Sequence, residues 1–399
     1  MPEIPLGIWG TLPVPFSVLA PMEDVTDTVF RRIVLAAGAP DLFFTEFTST
    51  DGLCSAGRPR VIGRLRYTLP ERPLVAQVWG TRPELFRRVA AEVREMGFDG
   101  IDVNMGCPVR KIVSRGACGA LIGSPSLAAE IIAATREGAG GLPVSVKTRL
   151  GVSTARGAEE WIGFLLGQGL AALTVHGRTV AQQSEGSADW SAIGMAARLR
   201  DAAGLPTRII GNGDVKTVDA FFARVAESRV DGVMIGRGVF ENLHLFAGIR
   251  ARREGAAELH ESGADSRGGA AGPRSGAADP RGGATNSRSG ADPRGGATNS
   301  RRGTAGPPGG TVDSRGDYSL LSPADKVEAF RRHMIMHRDT WGPGKQFDVL
   351  KKFAKTYLRA FEGASRLTDA VMHTRTHEAG LAVLDEWLAR GKAPRAAEA

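Results

Sequence analysis

The sequence predicts an α/β protein, a (β/α)8 TIM barrel followed by an all-helical domain, and three observations lead there. Eight short apolar runs alternate with longer amphipathic stretches between Phe16 and Gly238. A low-complexity segment then interrupts the chain. Beyond Ser322-Pro323 the apolar spacing is helical to the end.

The candidate strands are Phe16 to Ala20, Leu42 to Phe47, Leu74 to Val78, Ile101 to Asn104, Val144 to Thr148, Ala172 to His176, Arg208 to Asn212 and Gly232 to Gly236. Eight is the number a closed parallel barrel needs, and the span suits a typical barrel of about 250 residues. Helical stretches lie between them. In PELFRRVAAEVREMG, Leu85, Val89 and Val93 repeat at helical spacing and Gly97 supplies a stop.

From Arg253 to Tyr318 the composition collapses to Gly, Ala, Ser, Arg, Asp and Pro, and RSGAADPRGGATNS at Arg274 is followed by RSGADPRGGATNS at Arg288. Nothing there can build a core. Residues 251–320 therefore read as a disordered insertion. A repeat expansion fits better than a basic RNA tether, because Asp interleaved with Arg dilutes the field. After it, Phe347, Leu350, Ala354, Tyr357 and Phe361 fall at steps of 3, 4, 3 and 4, a buried helical stripe. The predicted domains are thus 1–250, 251–320 and 321–399.

A chain of 399 residues, 42% of them apolar, has room for one large folded unit and a smaller one. No run approaches the ~20 apolar residues of a membrane span. The start, MPEIPLGIWGTLPVPF, lacks the layout of a signal peptide. A cytoplasmic protein with no membrane partner is expected, and no metal site; a monomer is expected as well. Cys54, Cys107 and Cys118 cannot all pair, which leaves a thiol free for chemistry. The net charge of +8 favours a polyanionic partner without proving one.

In such a barrel the residues ending the strands converge on one pocket. They are Ala20, Pro21 and Met22; Glu46; Gln77; Asn104 with Cys107; Lys147; His176 with Arg178; Asn212, Gly213 and Asp214; and Gly236 with Arg237. GNGD and IGRG follow the last two strands, where barrel phosphate sites are commonly built. Glycines 211, 213, 236 and 238 would let backbone N–H groups approach phosphate oxygens, with Arg237 adding charge. Any one of them alone would read as a tight turn; two pairs point to a phosphorylated cofactor.

LAPMEDVTDTVFRR, DVNMGCPVRKIVSRGACGALI, VSVKTRLG, HGRT with GSADW, IIGNGDV and GVMIGRGVF resemble, in order, the signatures of tRNA-dihydrouridine synthases. More loosely, KQFDVLKKFAKTYL is similar to that family's RNA-binding helical domain. The resemblance implies an FMN site of Ala20, Pro21, Met22, Gln77, Lys147, His176, Asn212, Gly213, Asp214, Gly236 and Arg237. It also implies NADPH or NADH as transient reductant and tRNA as substrate. The reaction would reduce a D-arm uridine to dihydrouridine, with Cys107 as proton donor and Asn104 and Arg178 at the uracil edge. Two places depart from the family pattern. Ser184 stands where an aromatic is usual, and Cys118 where a glycine is usual.

Each residue also has a plainer reading: a solvated lysine at 147, a satisfied core histidine at 176, a small buried hydrophobe at 107. Arg178, with five donors and no acceptor, is harder to bury without a partner. Cys107 sits between Gly106 and Pro108 in a turn beyond the fourth strand. A thiol of ordinary pKa, about 8.5, would be mostly protonated there and able to act as an acid. Cys54 and Cys118 read as structural.

Between Lys326 and Arg366 ten Lys or Arg face four Asp or Glu, and Lys351, Lys355 and Arg359 fall at steps of four on one predicted helix face suited to phosphates. A solvated face would look the same. Two rivals stay open: an FMN barrel acting on a small molecule, and a catalytically silent RNA-binding protein.

Overall fold

A computed structural model describes residues 4–265 and 321–392. The chain divides into two compact units, one of Met1–Ala251 with Val312–Ala399 and one of Arg252–Thr311. Of the second, the described part is helical, the end of a helix running from Leu245 to Asp265. That helix carries on past residue 251, where composition suggests the insertion begins. The remainder of the predicted insertion, from residue 266 to 320, lies outside the described residues.

The strands are β1 (Phe16–Leu19), β2 (Phe43–Phe44), β3 (Thr48–Ser49), β4 (Leu74–Trp79), β5 (Gly100–Met105), β6 (Val144–Arg149), β7 (Ala172–His176), β8 (Arg208–Asn212) and β9 (Gly232–Ile235). All pair in parallel in the order β1-β9-β8-β7-β6-β5-β4-β2, with β3 also on β4. A bridge between Val18 and Leu42 joins β1 to the segment entering β2 and closes the barrel. The (β/α)8 TIM barrel with a helical C-terminal region is therefore the observed fold.

One predicted strand is cut short. Of Leu42 to Phe47 only Phe43–Phe44 forms a strand, β2, and β3 lies beyond it at Thr48–Ser49. The backbone N–H of Gln77 on β4 donates to the Thr45 hydroxyl, at 3.1 Å, rather than to a carbonyl. The ladder lapses at that point and Glu46 is turned out of it.

Parallel strands alternate between two buried faces. Leu19, Val78, Val103, Val146, Leu173, Ile209 and Val233 face outward and share one core with Phe30, Phe86, Val89, Ile131, Trp161, Ile193 and Phe221 of the surrounding helices. Phe16, Val18, Phe44, Val75, Ala172, Ile210 and Met234 face inward and form another core with Trp9 and Leu12. Trp9 plugs the end where the strands begin, its ring 6.1 Å from Phe16 and 6.2 Å from Phe44. Toward the opposite end the inward positions become polar, and there the site lies.

The helices used below are α1 (Thr28–Gly38), α2 (Pro83–Glu95), α3 (Pro323–Trp341), α4 (Lys351–Tyr357), α5 (Ala364–His373) and α6 (His377–Lys392). In α2, Val89 and Val93 are buried and Gly97 takes a φ of 80° just past the end, as its place after the helix predicts. The C-terminal stripe holds at Phe347, Leu350, Ala354 and Tyr357, all buried, while Phe361 is half-buried. It is not one helix, however: a 3-10 turn over Phe347–Leu350 precedes α4.

This segment docks on α1. Phe353 stacks on Phe30 with ring centroids 5.1 Å apart, and His333 lies 4.7 Å from Phe353. The Asp27 carboxylate caps α1 through the N–H of Phe30 and accepts bonds from Trp341 Nε1 and Lys345 Nζ, both at 2.9 Å. Beside them Arg31 is fully buried against Glu71 at 2.7 Å.

Candidate active site

At the mouth of the barrel the strand ends surround an open cleft. Of the residues predicted from the sequence, Ala20, Pro21, Met22, Asn104, Cys107, Lys147, His176, Arg178, Asn212, Gly213, Asp214, Gly236 and Arg237 line it. Strand register brings several of them side by side: Asn104 lies beside Lys147, and His176 beside Asn212. Lys351, Lys355 and Arg359 do not line it. Arg359 also leaves the predicted helix face, because α4 ends at Tyr357 and the chain turns before α5.

Gln77 lies behind the wall, fully buried. Its amide donates to Asp102 Oδ2 at 2.8 Å and accepts from Asn104 Nδ2 at 2.9 Å. Asn104 Oδ1 in turn accepts from the backbone N–H groups of Gly106 and Cys107, both at 3.0 Å. A buried chain thus runs from Ser145 through Asp102, Gln77 and Asn104 to the turn that carries Cys107. Burial lifts the Asp102 carboxyl to about 6, against the hydrogen bonds from Ser145 and Gln77 and the charge of Lys147.

Arg149 holds the same turn from the other side. Its Nε donates to Gly106 O at 2.7 Å and its Nη1 to Thr179 O and Gln183 O. Sequence reasoning missed both Asp102 and Arg149. The signals were there: Asp102 sits two residues before Asn104 and so on the same inward face, and Arg149 two beyond Lys147.

The cleft is electropositive. Burial, reinforced by Arg149, lowers the Lys147 ammonium to about 7. Arg149 is lowered to about 10, chiefly by burial. His176 is pushed far down by burial and by Lys147, Arg149, Arg178 and Arg237 around it. It is neutral, and its Nε2 lies 3.2 Å from Arg178 Nη1. Arginine can only donate, so Nε2 accepts and the ring proton sits on Nδ1.

Arg178 also grips Asp214 through Nη2, at 2.8 and 2.7 Å, and the carbonyl of Gly186. Asp214 stays ionised: burial opposes it, but the bonds from Arg178 and Ala188 N–H hold its pKa below the usual value. Asn212 Nδ2 donates to Met234 O at 2.8 Å.

The glycines divide by cause. Gly213 needs its φ of 137°, and Gly236 opens onto the cleft beside Ala20 and Met22. At Gly211 a Cβ would fall 2.3 Å from the Trp190 ring, and at Gly238 2.1 Å from Val215 O. Those two are therefore demanded by packing rather than by a phosphate.

Cys107 is 9% exposed and lies on the cleft wall. The expected ordinary thiol is corrected here. A hydrogen bond from Cys118 outweighs burial and lowers Cys107 to about 7, while burial raises Cys118 well above its usual value.

Glycine-lined and cationic on one side, apolar at Ala20, Pro21, Met22 and Met234, the cleft fits a phosphate-bearing planar ring. Among the described residues no helix is long and apolar enough to cross a membrane.

The description "Dihydrouridine synthase (Dus)" belongs to the family model that matches residues 18–263. A probable tRNA-dihydrouridine synthase 2 of Bacillus subtilis is 35% identical over 96% of this chain and 96% of its own. A probable tRNA-dihydrouridine synthase of Staphylococcus aureus is 46% identical over 60% of this chain and 73% of its own. Among solved structures, a morphinone reductase mutant in complex with tetrahydroNAD aligns at 14% identity with a TM-score of 0.43, over 60% of this chain and 88% of that one, too distant to bear on function. A family match across the barrel, and a relative that spans the helical segment as well, mean that the chain belongs to the tRNA-dihydrouridine synthase family.

Proposed function

We propose that this chain reduces a uridine of the tRNA D-arm to 5,6-dihydrouridine, with FMN as its cofactor, NADPH or NADH as the reductant and Cys107 as the proton donor. The observation that carries the reading is a cationic, glycine-lined cleft with a single thiol on its wall. FMN, when bound, supplies the hydride for carbon 6 of the uracil. The remaining work falls to the protein.

Gly213, Gly236 and Arg237 would hold the phosphate, with Arg237 giving a charge-assisted contact. Ala20, Pro21 and Met22 would pack on the ring. Lys147, half-buried at the wall, would steady negative charge on it, and neutral His176 would donate from Nδ1 without adding charge. Cys107 would deliver its proton to carbon 5 from the opposite face.

Asn104 and Arg178 keep their places at the wall. Each is bonded within the protein, so their proposed part is to hold the Cys107 turn and the Asp214 loop rather than to meet the uracil edge. Gln77 supports Asn104 from behind. Lys351, Lys355 and Arg359 would meet tRNA phosphates away from the cleft.

A thiol held near 7 must be protonated to act as an acid. Dihydrouridine formation is therefore expected to fall about tenfold per pH unit above roughly 7. Cys107→Ala is expected to keep flavin absorbance and reduction by NADPH while tRNA turnover falls at least about 100-fold. Mass-spectrometric mapping of the tRNA reads both the rate and the position modified. Undiminished turnover in Cys107→Ala would remove the acid role.

A further inference from the structure

Cys118 begins the 3-10 segment Cys118–Gly123 with a φ of 53°, a left-handed conformation that glycine adopts freely and a side chain does not. The fully buried side chain packs with Cys107, Phe47, Ile112 and Ala117 in a small cluster of its own. Gly119 N–H donates to Cys107 O at 3.3 Å, so the two loops are tied backbone to backbone next to the two thiols. The two thiols lie in one buried cluster, and each shifts the other's titration. One faces the cleft; the other lies directly behind it. A strained residue that persists because its side chain meets a reactive group is the kind of backbone outlier that marks a functional site.

We propose that Cys107 and Cys118 form a peroxide-reactive thiol pair, a modification site in which Cys107 is the attacked thiol and Cys118 resolves it to an intramolecular disulfide. Hydrogen peroxide reaches Cys107 through the cleft. The Cys107 thiolate attacks one peroxide oxygen, the O–O bond breaks, and hydroxide leaves with sulfenic acid on Cys107. Cys118 sulfur then attacks the sulfenic sulfur. The S–O bond breaks, and the departing hydroxide takes the Cys118 proton. Two thiols and one peroxide become one disulfide and two waters, and a dithiol reductant reverses the change.

The chemistry of the pair suits these roles. Cys107, near 7, is substantially thiolate at neutral pH, whereas Cys118 remains a thiol until it is needed. The functional consequence rests on the reading of Cys107 as proton donor: in the disulfide that proton is gone, so tRNA reduction stops until the bridge is opened. The bridge itself does not depend on that reading.

Trypsin cuts between the two cysteines at Arg110, Lys111 and Arg115, so a bridge appears as two cross-linked peptides, lighter by two hydrogens than their sum. The purified full-length chain is treated with one equivalent of hydrogen peroxide and mapped without reductant. A Cys107–Cys118 cross-link is expected, with dihydrouridine formation lost and then regained on adding dithiothreitol. In Cys118→Gly, which suits the backbone conformation, no such cross-link forms. A second equivalent of peroxide, given to parent and variant alike, then carries the variant's Cys107 from sulfenic to sulfinic acid, and dithiothreitol recovers little of that variant's own untreated rate. Either of two results overturns the pair: parental Cys107 found as sulfinic acid or unmodified with no bridge, or Cys118→Gly recovering as fully as the parent. A bridge that leaves tRNA turnover intact supports the pair and refutes only the acid role of Cys107.

Discussion

At the junction between barrel and helical segment, two buried charges, Arg31 and Asp27, meet their opposites. Arg31 is fully buried, bonded to Glu71 and to the carbonyls of Thr26 and Arg66, and Glu71 also receives Thr28 and Thr68. Asp27 receives Lys345 and Trp341. At the mouth of the same barrel, Lys147, Arg149, Arg178 and Arg237 crowd around one neutral histidine, with Asp214 matched to Arg178. One region closes its electrostatics within the protein, and the other leaves positive charge facing the cleft. Matched buried charge is costly to strand by removing one partner, and unmatched charge in a cleft marks a candidate binding site.

The largest effect belongs to the junction. Glu71→Ala leaves Arg31 buried without its carboxylate, and the loss of unfolding free energy is expected to be about 3–5 kcal/mol. Urea unfolding at neutral pH measures it. Replacing both partners with apolar residues, as in Arg31→Met with Glu71→Leu, is expected to cost much less. A small loss from Glu71→Ala alone would break the contrast, since it would mean that the junction tolerates stranded charge as the mouth does.

Acid tests the junction next. His333 is buried between Phe353 and Tyr357, with Asp27, Lys345, Lys352 and His337 as its charged or titratable surroundings. Burial lowers it to about 3. A histidine kept neutral by folding binds its proton more tightly once unfolded. Its contribution is therefore complete above the unfolded value near 6.5 and is lost as pH falls from there toward 3. Between pH 6.5 and 5 this amounts to about 2 kcal/mol. The urea midpoint should fall over that range in the parent and fall less in His333→Gln; equal slopes in the two would exclude His333 as the source.

The barrel was readable because its strands are short, apolar on both faces and evenly spaced, a pattern that backbone geometry enforces. The break at Thr45 was not, because it depends on one hydroxyl meeting the N–H of Gln77, a residue 32 positions away. The mouth was readable as strand ends, since inward alternation delivers Asn104, Lys147, His176 and Asn212 to one place. What spacing could not reveal was how those groups are spent: Gln77 and Asn104 support the Cys107 turn, and Gly211 makes room for Trp190. Arg359 was misread because two steps of four assume a helix, and α4 stops short of it.

At the mouth the test is affinity rather than stability. Arg237 is exposed and lines the cleft, so Arg237→Ala should leave unfolding within ~0.5 kcal/mol. Flavin affinity, read by fluorescence titration, should weaken roughly tenfold, about 1.4 kcal/mol. A stability loss with unchanged affinity would make Arg237 a junction-type residue and reverse its assignment.

The smallest effect separates two lysines that the sequence treats alike. Lys351 Nζ lies 2.7 Å from Asp348, one turn earlier, and its charge is already partly answered. Lys355 is exposed on the same helix. If the helical segment meets tRNA phosphates here, each lysine that neutralises one releases counterions, and the logarithm of affinity falls with salt by about 0.7–0.9 per contact. Removing Lys355 should therefore lower that slope by nearly one contact, measured between roughly 50 and 200 mM salt, whereas removing Lys351 should lower it by less. Neither change should move stability by more than ~0.5 kcal/mol, because both side chains lie on the surface or at its margin. Equal slopes in parent and Lys355→Ala would mean that this face is simply solvated.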